Sequence, residues 1–270
     1  MKISIIKYTA LLYVTVSMLS CTNIKKVAKI SSEDTRPNII FIFADDWGYG
    51  DLGVYGNKEV VTPNIDKMAS EGTRFTQFHV TSGVCSPSRS SVLTGLFPAR
   101  NRVHGHFAGN KVNARRNMPN YLNDSLAVYL PRTMQKAGYK TAHFGKWHLG
   151  GGGLPHGDPS APEPKEYGYD ETRVWNGNGP TWKGDKKWPT TRYMDSDSLW
   201  VQSSSRIAVD ETIDFIKRNN GKQPMFVNLW LKDPHTPLCN SFVFFFKLSI
   251  INLIALNKFS IFTINYKSFS

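Results

Sequence analysis

Cys85 opens the stretch Cys85-Ser86-Pro87-Ser88-Arg89, one of four places where residue type and spacing could do chemistry. At a loop-to-helix transition its thiol would lie near backbone N–H groups left open by the first helical turn, where negative charge is stabilised. Arg89 follows four residues later, on the same helix face. A nucleophile and a cation would then share one small space. Asp45 and Asp46 end an apolar run, and adjacent carboxylates repel unless a cation compensates, which suggests a hard divalent metal with oxygen ligands. Taken alone, such a pair is also an ordinary solvated turn or helix cap. Lys146 and His148 lie two residues apart in an extended stretch, can face one side, and suit binding or protonating an anion. His235 follows a further apolar run. His104 and His106 could in principle reach a metal together, but with no acidic or cysteine partner nearby they read as surface loop histidines.

The elements that must position these residues are those of an α/β protein. Residues 37–43 and 224–231 are too continuously apolar to have a solvent face, as in parallel strands covered on both sides, and residues 139–144 read as a third such strand. In open α/β sheets ligands gather beyond the carboxyl ends of strands, where Asp45, Lys146 and His235 fall. Thr62 as cap, Pro63 in the first turn and Gly72 as stop delimit a helix with Ile65, Met68 and Ala69 inward. Residues 74–80 read as a short strand leading to Cys85, and 110–125 as a polar loop. Residues 131–137 read as a helix stopped by Gly138, and 203–219 as an amphipathic helix burying Ile207, Val209, Ile213 and Ile216. Residues 151–188 are a Gly-, Pro- and Trp-rich loop in which Trp175, Trp182 and Trp188 either stack on a ligand or pin the loop.

Four motifs taken together resemble the sulfatase family: Cys85-x-Pro87-x-Arg89 with Leu93-Thr94-Gly95; the segment from Arg36 through Asp45-Asp46 to Gly53; Gly145-Lys146-Trp147-His148-Leu149-Gly150; and Lys232-Asp233-Pro234-His235-Thr236-Pro237. The resemblance implies an alkaline-phosphatase-like α/β fold, a mixed, mostly parallel sheet flanked by helices, here incomplete. It implies that Cys85 is oxidised to formylglycine by a formylglycine-generating or sulfatase-maturating enzyme, and that the hydrated aldehyde is the nucleophile. It makes Asp45, Asp46 and the modified Cys85 ligands of Ca2+ or Mg2+. It assigns Arg89 and Lys146 to the sulfate, His148 to the hydrate, and His235 to the sulfate or the leaving group. Asn176 and Asn178 are further candidates by position only. The substrate implied is a sulfate ester, an aryl sulfate or a sulfated carbohydrate.

The chain has 270 residues and a formal charge of +12, from 33 Lys and Arg against 21 Asp and Glu. That excess favours polyanions. With no nucleic-acid-binding module or zinc-finger spacing, nucleic acid is not an expected partner. The cysteines, Cys21, Cys85 and Cys239, are too few and too separate for a disulfide framework. Residues 1–20 read as an export signal, with Lys2 and Lys7 before a short apolar stretch. Met18-Leu19-Ser20-Cys21 resembles a lipoprotein cleavage box, so the expectation is an exported, periplasmic or membrane-anchored protein lipidated on Cys21. Residues 21–36 form a tether and 37–238 the amino-terminal part of the catalytic domain. Residues 239–270 contain no Asp, Glu, Gly, Pro or Arg and read as an apolar tail from a non-native reading frame. The resemblance requires a later Asp before Asn-Gly or His-Gly and a later lysine. No such pair follows His235, so the chain as written is expected to be inactive. A phosphate-monoester or phosphonate hydrolase, and a nonenzymatic binder of sulfated glycans, are the competing readings.

Overall fold

The computed structural model describes residues 34–123, 128–150, 158, 160–175 and 204–235, and the backbone of 259–264. Five strands, β1 (Asn38–Asp45), β2 (Lys140–Lys146), β3 (Glu171–Trp175), β4 (Met225–Pro234) and β5 (Phe259–Ile264), form one sheet in the order β3-β2-β4-β1-β5. Every pairing in it is parallel. A parallel sheet needs cover on both faces, and side-chain alternation supplies two different ones. Ile40 and Ile42 of β1, Ala142 and Phe144 of β2, and Val227, Leu229 and Leu231 of β4 pack with Ile207, Phe215 and Ile216 of α5 (Ser204–Asn219). On the other face Phe43, Phe226 and Trp230 pack with Leu93, Tyr139, Trp147, Tyr167 and Tyr169.

Among the described residues, four shorter α-helices are α1 (Pro63–Glu71), α2 (Cys85–Thr94), α3 (Asn110–Arg115) and α4 (Leu130–Lys136), and four one-turn 3-10 helices lie between elements. Thr62 occupies the cap position of α1, yet its hydroxyl serves the preceding loop, accepting from the Gly53 N–H and donating to Asp66 Oδ1 (both 2.9 Å). Gly95 closes α2 in the left-handed region (φ 67°), which glycine adopts without the Cβ penalty.

Three expectations are corrected here. Residues 74–80 form no strand: they are exposed apart from half-buried Val80, including Phe75 and Phe78, and none of the described strands pairs with them. Residues 110–125 are not simply a loop, because α3 forms where the buried Asn113 side chain pairs with both backbone groups of Ala108 (2.9 and 2.7 Å). Residues 151–188 include β3, whose register runs from Ala142 opposite Glu171 to Lys146 opposite Trp175. Within 239–270, β5 lies beside β1, pairing Asn38 with Phe259 through Phe43 with Ile264. The export segment, Cys21, Trp182, Trp188, Asn176 and Asn178 lie outside the described residues. Among the described residues no helix is long and apolar enough to cross a membrane.

His143, in mid-β2, is fully buried beside Trp230, Tyr169 and Trp147, with ring centroids 4.6, 5.2 and 5.3 Å away. Burial first, then the Arg89 charge, lowers its pKa from 6.5 to about 3. The folded chain therefore binds one proton fewer than the unfolded chain between these values, and His143 withdraws stability as pH falls from about 6.5 towards 3. Its contribution to the slope is about 1.4 kcal/mol per pH unit. Urea unfolding at several pH values should show that slope, and His143→Phe should flatten the acid limb by this amount.

Candidate active site

The carboxyl ends of β1, β2 and β4 lie side by side, with Phe43 and Gly145 both paired to Trp230 and Asp45 paired to Pro234. This register brings residues far apart in sequence to one edge of the sheet. Asp45 is buried there between two cations. Arg89 Nη2 donates to its Oδ1 at 3.1 Å, and the Lys146 ammonium donates to its Oδ2. Burial alone would raise the Asp45 carboxyl, but Arg89 and Lys146 outweigh it and hold the group below the usual carboxylate range. Burial lowers the Lys146 ammonium, and Asp45 partly restores it. Arg89 is itself wholly enclosed: Nη1 donates to the Lys146 carbonyl at 3.1 Å, and the guanidinium carbon lies 5.0 Å from the Trp230 ring and 5.4 Å from that of Phe43.

Above this ion cluster Cys85 occupies the first position of α2, as its sequence context predicts, and its Sγ lies 3.1 Å from His148 Nδ1. The other ring nitrogen of His148, Nε2, is 3.3 Å from the Phe107 carbonyl. A carbonyl only accepts, so this contact assigns the proton to Nε2 and leaves the Nδ1 lone pair facing residue 85. Burial, with Lys146 and Arg89 next, takes the His148 pKa down to about 3, so the ring is a neutral acceptor. His148 is held in the left-handed region (φ 52°) by Ser86, whose hydroxyl donates to the His148 carbonyl at 2.6 Å and accepts the Phe107 N–H at 3.1 Å. The Cys85 thiol is pushed up by burial, with Lys146 and Arg89 opposing and Asp45 adding to the rise. It is therefore a neutral thiol and a poor nucleophile in its own right.

At the rim, Asp46 and His235 meet. Asp46 takes a left-handed backbone (φ 63°), which turns its carboxylate outward, and His235 Nε2 lies 3.5 Å from its Oδ2. The neighbouring carboxylates thus have different partners: Asp45 faces the buried cations and Asp46 the imidazole. Their hard oxygens suit calcium or magnesium in type, but two carboxylates fall short of the roughly six to eight oxygens that calcium takes. Among the described residues no group of three or more His, Cys, Asp or Glu side chains is arranged to hold a metal ion. Asp45 and Asp46 fit as part of a larger ligand set.

The family model named Sulfatase matches residues 37–245, and with it every residue of this cluster. The chain belongs to the sulfatase family. Human N-acetylgalactosamine-6-sulfatase is 33% identical over 222 residues, which cover 75% of this chain and 40% of that protein. The N-acetylgalactosamine-6-O-sulfatase of Bacteroides thetaiotaomicron is 38% identical over 150 residues, 54% of this chain and 28% of that protein. Rat arylsulfatase G is 49% identical over 121 residues, 45% of this chain and 22% of that protein. The chain thus spans well under half the length of the curated relatives it matches. Among solved structures, Ps i-CgsB superposes with a TM-score of 0.55 at 27% identity, over 75% of this chain and 46% of that one. A phosphonate monoester hydrolase of Agrobacterium radiobacter shares the fold, with a TM-score of 0.54 at 20% identity over 78% of this chain and 44% of that one.

In this chain the structure gathers Asp45, Cys85, Arg89, Lys146 and His148 into one cluster and places Asp46 and His235 at its edge. His104 and His106 are exposed, as expected of loop histidines, yet the His106 ring centroid lies 6.1 Å from that of His148. Ser86, Phe107 and Trp230 do not stand out by type or spacing. Only Trp230 carries a signal, as an aromatic near the end of an apolar strand that bears a site residue.

Proposed function

We propose that the site hydrolyses sulfate monoesters of carbohydrates or aryl alcohols. The observation carrying this reading is the placement of residue 85 between a neutral imidazole acceptor, His148, and a buried cluster of Arg89, Lys146 and Asp45. Two cations and one carboxylate leave that cluster with a net charge of +1, before any bound metal is counted, which suits a monoanionic sulfate ester. The elevated thiol supports conversion of Cys85 by a maturating enzyme over direct use of sulfur. As formylglycine, residue 85 would supply a hydrated aldehyde, one hydroxyl to attack sulfur and a second to expel sulfate. A Ca2+ or Mg2+ ion held in part by Asp45 and Asp46 would polarise a sulfate oxygen.

The chain's own residues do the remaining work. His148 Nδ1 accepts the proton released at residue 85, while its Nε2–H stays on Phe107. Arg89 and Lys146 stabilise negative charge spreading over the sulfate oxygens, and their fixed positions cost little reorganisation. His235, at the rim beside Asp46, protonates the departing oxygen. The relatives named for N-acetylgalactosamine 6-sulfate support a sulfated sugar as substrate. Export through residues 1–20, with lipidation of Cys21, completes the reading and rests on the sequence of that segment.

Side-by-side hydrolysis of an aryl sulfate and the matching aryl phosphate by the full-length protein tests it. Preference for the sulfate is expected. Preference for the phosphate would move the site to the phosphohydrolase reading, and binding of a sulfated sugar without turnover would leave a glycan binder.

A further inference from the structure

Residues 72–123 contain no Asp or Glu and seven Lys or Arg, so they carry +7 of the chain's +12. Part of this charge is fixed next to the site. Val103 and Phe107 are buried anchors, and the intervening His104 and His106 face solvent. Phe107 is tied to Ser86 and His148 through its N–H and carbonyl, which sets His106 beside His148 with its ring inclined at 39°. Arg116, exposed at the end of α3, lies across the same loop: its Nη1 donates to the His106 carbonyl at 3.1 Å and would be 3.5 Å from a Cβ at Gly105. Asn113 clamps α3 to Ala108, so the loop and Arg116 are positioned before any ligand arrives.

We propose that His106 and Arg116 form a subsite for a second anionic group, a sulfate or carboxylate on the same saccharide as the sulfate at residue 85. The proposal rests on the sulfate-ester reading for the first anion and adds a polyanionic glycan as the substrate class. Arg116 supplies charge and planar donors. His106 adds ring nitrogens beside His148 that can donate or accept a hydrogen bond, and its partial desolvation, with the charges of Arg116 and Lys146, lowers its pKa.

The test is calorimetric titration of the chain with a 6-sulfated N-acetylgalactosamine, a disulfated disaccharide, and a disaccharide pairing one sulfate with a uronate, at low and physiological salt. The dianionic ligands should bind about threefold to fivefold more tightly than the monosulfated sugar, the range of an exposed charge pair. The stronger of the two identifies the second anion. Arg116→Gln should cancel the advantage, whereas Lys111→Gln, an exposed cation on α3 without the His106 contact, should keep it. Equal affinities for mono- and dianionic ligands, or equal losses in the two variants, would overturn the subsite and leave the sulfate-ester reading standing. Binding of the dianions alone, lost in Arg116→Gln, would keep the rim and remove the reading of the first anion site. Binding of none would remove both.

Discussion

Cys85→Ala abolishes sulfate release by the full-length protein without unfolding it. Deletion of a catalytic nucleophile typically lowers kcat on the order of 10^6-fold. The structural cost is small by comparison. Residue 85 lies in the first turn of α2, where alanine is well tolerated, and its half-buried Sγ has one side-chain partner, His148 Nδ1 at 3.1 Å. Arg89, Lys146 and Asp45 remain paired below it, so the thermal midpoint of the variant should stay close to that of the parent. Rate and stability therefore separate. Loss of both together would mean that Cys85 is part of the core, and retention of turnover would remove it from the chemistry.

Asp45→Asn has the opposite signature. Asp45 is the carboxylate between Arg89 and Lys146, and both cations are buried. Removing one partner of a buried ion cluster leaves uncompensated charge and costs about 3 to 5 kcal/mol, far more than the pair contributes over an apolar substitute. The lysine offers a diagnostic. Its ammonium is already lowered by burial and partly restored by Asp45, so the variant loses the restoring charge and Lys146 is driven further towards the neutral form. With the folded pKa below the unfolded one, the unfolded chain binds more protons, and stability rises with pH until the folded and unfolded chains are both deprotonated. Urea midpoints should therefore fall sharply at neutral pH and recover as pH rises into the ordinary lysine range. A midpoint unchanged at pH 7 would show that the cluster is not a buried charge balance.

Strands β1 and β4 are legible in the sequence because each is a nearly continuous apolar run ending at polar residues, as a buried parallel strand requires, whereas β2 (KTAHFGK) is marked instead by the helix stop at Gly138 before it. These strands put Asp45 and Lys146 at the carboxyl edge of the sheet and His235 just past it. The different surroundings of Asp45 and Asp46 are not legible in the same way, since they depend on a left-handed backbone at Asp46 that the pair Asp-Asp does not encode. The same holds for Ser86 and Phe107, whose roles arise from hydrogen bonds between segments 21 and 62 residues apart. Residues 74–80 mislead because Phe75, Phe78 and Val80 have strand-forming side chains, whereas a strand also needs an edge to pair with. Strand β3 is hidden for the converse reason: Glu171 and Arg173 give it no apolar run, and its pairing with β2 decides its conformation. Charge is readable as a total but not as a place. Only the fold shows part of the excess in 72–123 standing beside His148.

The measurement closest to the central claim is the chemical state of residue 85 in full-length protein that is releasing sulfate, read by mass spectrometry of the peptide containing it. The expected result is an aldehyde in place of the thiol, in proportion to the activity of each preparation. An intact Cys85 thiol in fully active protein would contradict the account.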